Sequence, residues 1–163
     1  MVVQLRDITP DEFVSMVLSE ERDLTRLRLP EGSGFDDEQI TSMRQYIEAK
    51  YLEYIQDPLN ISGSRLIQVS APRLYLPYVV AKRTDLVRAN LRGANLRGAY
   101  LGGAYLGGAD LEGADLRGVK KLDKALDLGY AIFKDTIVTE AEMAIIKPML
   151  ERPFDVREEQ NSK

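Results

Sequence analysis

Apolar and small residues recur through the middle of the chain in a five-residue cycle. From Thr84 to Gly118 a leucine returns at Leu86, Leu91, Leu96, Leu101, Leu106, Leu111 and Leu116. Two places ahead of each stands a small residue: Thr84, Ala89, Ala94, Ala99, Ala104, Ala109 and Ala114. A period of five matches neither the 3.6 of a helix nor the 2 of a strand, so the pattern describes an architecture, not a local element. Counted back in fives, the leucine register passes through Ala81, Leu76, Ala71, Leu66 and Ile61, and the small-residue register through Val79, Leu74, Val69, Ser64 and Leu59. This predicts degenerate repeats from Leu59, twelve in all to Gly118. Beyond Gly118, Lys121 takes a leucine place. Leu126-Asp127-Leu128, Ala131-Ile132-Phe133 and Thr136-Ile137-Val138 resume the spacing two residues out of phase, which predicts one irregular side over 119–125.

The flanks carry helical periodicity instead. Thr9-Pro10-Asp11-Glu12 reads as a capping box with Pro in the first turn, and Ile8 and Phe13 stand at the staple positions. A helix over about 10–21 follows, burying Phe13, Val14, Val17 and Leu18. Leu24, Leu27 and Leu29 then alternate with polar residues as a short extended segment. Asp36 and Gln39 form a second box before a helix over 37–57 with Ile40, Met43, Ile47, Tyr51, Tyr54 and Ile55 on one face. Leu52 lies off that stripe. Thr139 and Glu142 open a third helix, with Met143, Ile146 and Leu150 on one face and a kink or break at Pro148. The polar tail from Arg152 is expected to fray. The division is therefore 1–58, an N-terminal helical segment; 59–138, the repeats; and 139–163, a C-terminal capping helix and tail.

Ala-(Asp/Asn)-Leu-x-Gly in tandem over 84–118 resembles the pentapeptide-repeat family. The resemblance implies a mainly β fold, a right-handed quadrilateral parallel β-helix of about four coils, with one repeat per side. Leucines and small residues would point inward, and Gly93, Gly98, Gly103, Gly108, Gly113 and Gly118 would fall at the corners. The open ends of such a stack need covers, and the helices at either end of the sequence are the expected lids.

Residues twenty apart should then stack on one wall. Laid out this way, Ile67, Val80, Val87, Tyr100 and Tyr105 form an outward patch wrapping one corner, the first candidate interaction surface. Arg97 and Arg117 stack on another wall as a second candidate, able to receive an acidic partner. Arg92 over Glu112 and Asn90 over Asp110 read as a structural ladder.

Composition narrows the function. The chain of 163 residues has a formal net charge of −4, no cysteine and no histidine. It thus lacks thiolate chemistry, the commonest general base and the commonest transition-metal ligand. Met1 to Asp7 has no long apolar run, and Tyr75 to Ala81 is too short to span a bilayer. A cytoplasmic bacterial protein is expected, without cofactor, metal or enzymatic activity, acting through protein–protein interaction as a scaffold or regulator. Its partner would be an unknown protein, or a second copy bound through the patch or the 37–57 helix, with no direct nucleic-acid or membrane contact. The alternative is a DNA-mimicking modulator of DNA gyrase, a role some members of the family have. That role suits a long acidic rod, whereas residues 83–119 carry five arginines against four acids.

Overall fold

The computed structural model describes residues 4–151. From Gly63 to Gly118 every fifth residue takes a left-handed backbone conformation, with φ between +54° and +72°. Each such corner turns the chain and leaves four residues to cross one side. Two of the four point inward: Leu59 and Ile61, Ser64 and Leu66, Val69 and Ala71, Leu74 and Leu76, Val79 and Ala81 are all buried, as are the leucines and alanines that follow. The register hidden before Thr84 is therefore that of the visible repeats.

The outward residue between them bridges the one twenty positions on. Asn60–Val80–Tyr100, Arg65–Asp85–Tyr105, Ser70–Asn90–Asp110 and Tyr75–Asn95–Asp115 form four parallel ladders. In each rung the backbone pairs in both directions: Leu86 N donates to Tyr105 O and Tyr105 N to Thr84 O, both at 2.9 Å. Because each side is so short, only one residue per side sits in the ladder. The expected β structure thus takes the form of single-residue bridges, and the only regular strands among the described residues are β1 (Arg6–Asp7) and β2 (Leu27–Arg28).

The interior is filled by the inward side chains. Leu101, Leu106, Leu111 and Leu116 are at most 1% exposed, and Ala94, Ala99, Ala104, Ala109 and Ala114 are fully buried. Burying each leucine contributes about 1.5–3 kcal/mol. From Ala89 to Ala114 alanine holds the small inward position, and before it larger residues (Leu59, Val69, Leu74 and Val79) are buried at the same register. The void that remains there is about 30 Å³, room for about one water.

The ladders run on into the N-terminal segment. Asp23 bridges Asn60, Arg28 bridges Arg65, and Gly34 bridges Ser70. Ser64 ties the two parts together, accepting from Leu27 N at 3.0 Å and donating to Leu24 O at 3.1 Å. Where a fourth ladder residue would precede Tyr75, the chain instead holds helices α2 (Asp37–Ala49) and α3 (Tyr51–Gln56). They lie against that ladder: Arg44 stacks on Tyr75, and the rings of Tyr51 and Tyr78 meet edge-on.

Several helical expectations need correction. Helix α1 spans Pro10–Leu18, not 10–21, and buries Met16 in place of Leu18, which is exposed. The single helix expected over 37–57 is broken at Lys50 (φ −112°), which pairs with Glu20 and lies over the Tyr46 ring. On the expected stripe Ile40, Met43, Ile47 and Tyr54 are buried, while Tyr51 and Ile55 are half-buried. Both N-terminal capping boxes form as read, through Thr9 with Glu12 and Asp36 with Gln39.

At the C-terminal end the slip is distributed. Leu126 bridges Tyr105, Ile132 bridges Asp110 and Ile137 bridges Asp115. One extra residue is therefore taken up before Leu126 and the other before Ile132, each in a 3₁₀ turn, Leu122–Lys124 and Leu128–Tyr130. Leu126, not Asp127, holds the outward ladder position. Helix α4 (Glu140–Leu150) runs through Pro148. Its buried residues are Glu142 and Ile146, whereas Met143 and Leu150, expected on the covering face, are exposed. The tail expected to fray lies outside the described residues.

Candidate interaction surface

The outward patch read from the sequence divides between two grooves. Ile67 and Val87 line one with Gln68, Arg88, Asp127 and Tyr130. Tyr105, 37% exposed, lies in the other with Leu5, Arg26, Arg65, Lys82 and Arg83. Val80 and Tyr100 are neighbours on the adjoining ladder, half-buried. The Tyr100 ring is no free apolar face: Lys82 Nζ stands 4.9 Å from its centroid. The helices α2 and α3 lie against Tyr75 and Tyr78 instead; from the N-terminal segment Leu5, Thr25 and Arg26 share a groove with Tyr105.

Tyr100 is seated by glycine. A Cβ on Gly102 would stand 2.6 Å from the Tyr100 ring. Only a residue without a side chain lets that ring lie along the wall.

The second candidate pair is not two equivalent free cations. Arg117 closes a fork on its neighbour Asp115, through Nε at 2.9 Å and Nη2 at 2.6 Å. These hydrogen bonds from Arg117 hold the Asp115 carboxyl below its ordinary value. Arg97 makes no ion pair among the described residues, and its backbone N–H donates to the Asn95 side chain at 3.1 Å. On the third ladder Arg92 spans Asp110 at 3.2 Å and Glu112 at 2.6 Å, as the stacking of this wall predicts.

Sequence reasoning passed over two groups. Leu126, Tyr130, Ile132 and Ile137 leave an exposed apolar rim on the C-terminal coil; the displaced register hid them. Arg26, Arg65, Lys82 and Arg83 converge on the Tyr105 groove, and following the twenty-residue spacing back from Tyr105 through Asp85 would have brought Arg65 onto its ladder.

The pentapeptide-repeats family model matches residues 83–120 in eight copies. Among curated proteins none matches the chain. Solved structures similar to it include HetL, a pentapeptide repeat protein involved in heterocyst differentiation regulation from the cyanobacterium Nostoc sp. strain PCC 7120. The identity is 24% over 71% of this chain, with a TM-score of 0.38, and the match spans 38% of HetL. A second is the pentapeptide repeat protein Rfr23 from the cyanobacterium Cyanothece 51142, at 22% identity over 80% of this chain and 96% of that one, TM-score 0.34. A third is QnrB1, a plasmid-mediated fluoroquinolone resistance protein, at 13% identity over 57% and 56% of the two chains, TM-score 0.22. Eight copies of one motif on the ladders and corners described above carry the assignment: the segment 83–120 belongs to the pentapeptide-repeat family.

Proposed function

We propose that this chain is a non-enzymatic interaction module, a scaffold or regulator that works through its outer surface. The observation that carries this reading is the filled interior: every inward position from Leu59 to Leu116 is buried and the void among them is about 30 Å³. A drug-sized ligand needs roughly 300 Å³ or more, so recognition falls to the outward residues. Tyr100 and Tyr105, on neighbouring ladders, are the anchors. Tyrosine is enriched where protein interfaces are most buried.

The same reading takes the four ladders as the sides of a right-handed square β-helix of about four coils. The twenty-residue bridge spacing and the five-residue corners support it. The described residues up to Pro58 and from Thr139 to Glu151 flank it, and partner binding falls on its walls.

Affinity capture from cells that express the chain, with wild type and Tyr100→Ser/Tyr105→Ser in parallel, tests the proposal. A protein retained by wild type and lost from the folded double variant is the expected result. Identical capture profiles and identical sedimentation of the two would refute it.

A further inference from the structure

We propose that the groove between the Asn60–Tyr100 and Arg65–Tyr105 ladders binds an extended acidic segment of a partner protein; this rests on the interaction reading above. The groove has a volume of about 650 Å³, and Arg26, Arg65, Lys82 and Arg83 line it. Among the described residues none of these four cations is paired with a carboxylate. The one acid in the groove, Asp85, accepts from Val87 N at 3.2 Å, and its single charge leaves the four cations in excess. The chain as a whole is acidic, with a net charge of −4, yet this face concentrates unneutralised positive charge.

The cations are held in place. Lys82 is stacked on Tyr100. Arg26 and Arg83 sit at positive-φ corners, φ +58° and +54°. Each lays its aliphatic stem over the glycine one coil on: Arg26 Cγ is 3.8 Å from where a Cβ on Gly63 would stand, and Arg83 Cγ 3.2 Å from that of Gly103. Arginine and glycine thus alternate along this corner, and the charged heads repeat on every second coil, about 10 Å apart at the strand spacing. An extended peptide covers that distance in about three residues. Guanidinium groups bind carboxylates through charge-assisted hydrogen bonds. Leu5 and Tyr105, which line the same groove, suit an apolar side chain on the same peptide. Those apolar residues and the net negative charge of the chain favour a peptide over a polyphosphate, which draws its affinity from positive charge.

The test is fluorescence anisotropy with the full chain and a labelled peptide of Glu-Leu-Ser triplets. An oligothymidylate of equal charge runs alongside. Saturable peptide binding is expected, weakened about tenfold or more by Arg65→Gln with Arg83→Gly. Glycine at position 83 keeps the left-handed corner, and Arg88→Gly, the same change one corner away, should leave affinity unaltered. No binding by wild type would overturn the proposal. So would equal affinity in the double variant, or tighter oligothymidylate binding lost through the same substitutions. A captured partner that is lost with Tyr100→Ser/Tyr105→Ser but kept by Arg65→Gln/Arg83→Gly would overturn the groove assignment alone and leave the interaction reading standing.

Discussion

The ring of Tyr78 lies over Gly98, one coil away on the same corner, so close that a Cβ on Gly98 would stand 2.5 Å from two ring carbons. Gly98 also holds φ at +69°. Gly98→Ala should therefore destabilise by about 2–4 kcal/mol, the sum of left-handed strain and overpacking. In a Tyr78→Ser background the same change should cost only about 1–2 kcal/mol, because the overpacking part is gone. Urea midpoints in the two backgrounds check this; equal losses would mean that the ring does not matter.

Gln68 occupies a corner with φ +55° and is not glycine. The left-handed conformation costs an L-residue roughly 1–2 kcal/mol, and glycine's greater chain entropy returns about half of that. Gln68→Gly is thus expected to stabilise by up to about 1 kcal/mol. A lowered thermal midpoint would show that the Gln68 side chain contributes more than its backbone strain costs.

Glu142 fastens α4 to the last coil: its carboxylate accepts from Thr139 N at 2.7 Å and from Gly118 N at 3.1 Å. Burial opposes its charge, but the hydrogen bonds from Thr139 and Gly118 prevail and hold its pKa below the ordinary value of 4.5. A carboxyl depressed on folding stabilises the native state above its unfolded pKa, and that stability is lost as pH falls through the folded one. Glu142→Gln should accordingly lower the urea midpoint at neutral pH, and the gap to wild type should close below about pH 4.5. A gap that persisted or widened in acid would contradict this role.

The repeat was legible because its cause is local and periodic. An inward alanine and an inward leucine per side leave the same trace wherever they occur, and the buried row from Leu59 to Ala81 follows that trace even with larger residues substituted. The N-terminal continuation was not legible. Asp23, Arg28 and Gly34 reach the ladders with uneven spacing, and two helices stand where the next side would be. The break at Lys50 left no mark, since lysine is a good helix former; its contacts with Glu20 and Tyr46 are tertiary. On the surface, Tyr100 and Tyr105 announce themselves by chemistry. Of the cations around Tyr105, Arg26 and Arg83 emerge only once the corners are known to carry arginine in a left-handed conformation.

A photo-crosslinking residue placed at position 105, with the same residue at position 112 on another side as control, tests the central claim of surface recognition most directly. Recognition through the tyrosine face predicts a discrete protein adduct from position 105 in cells, and little or none from position 112. Equal adducts from both positions, or adducts from position 112 alone, would contradict it.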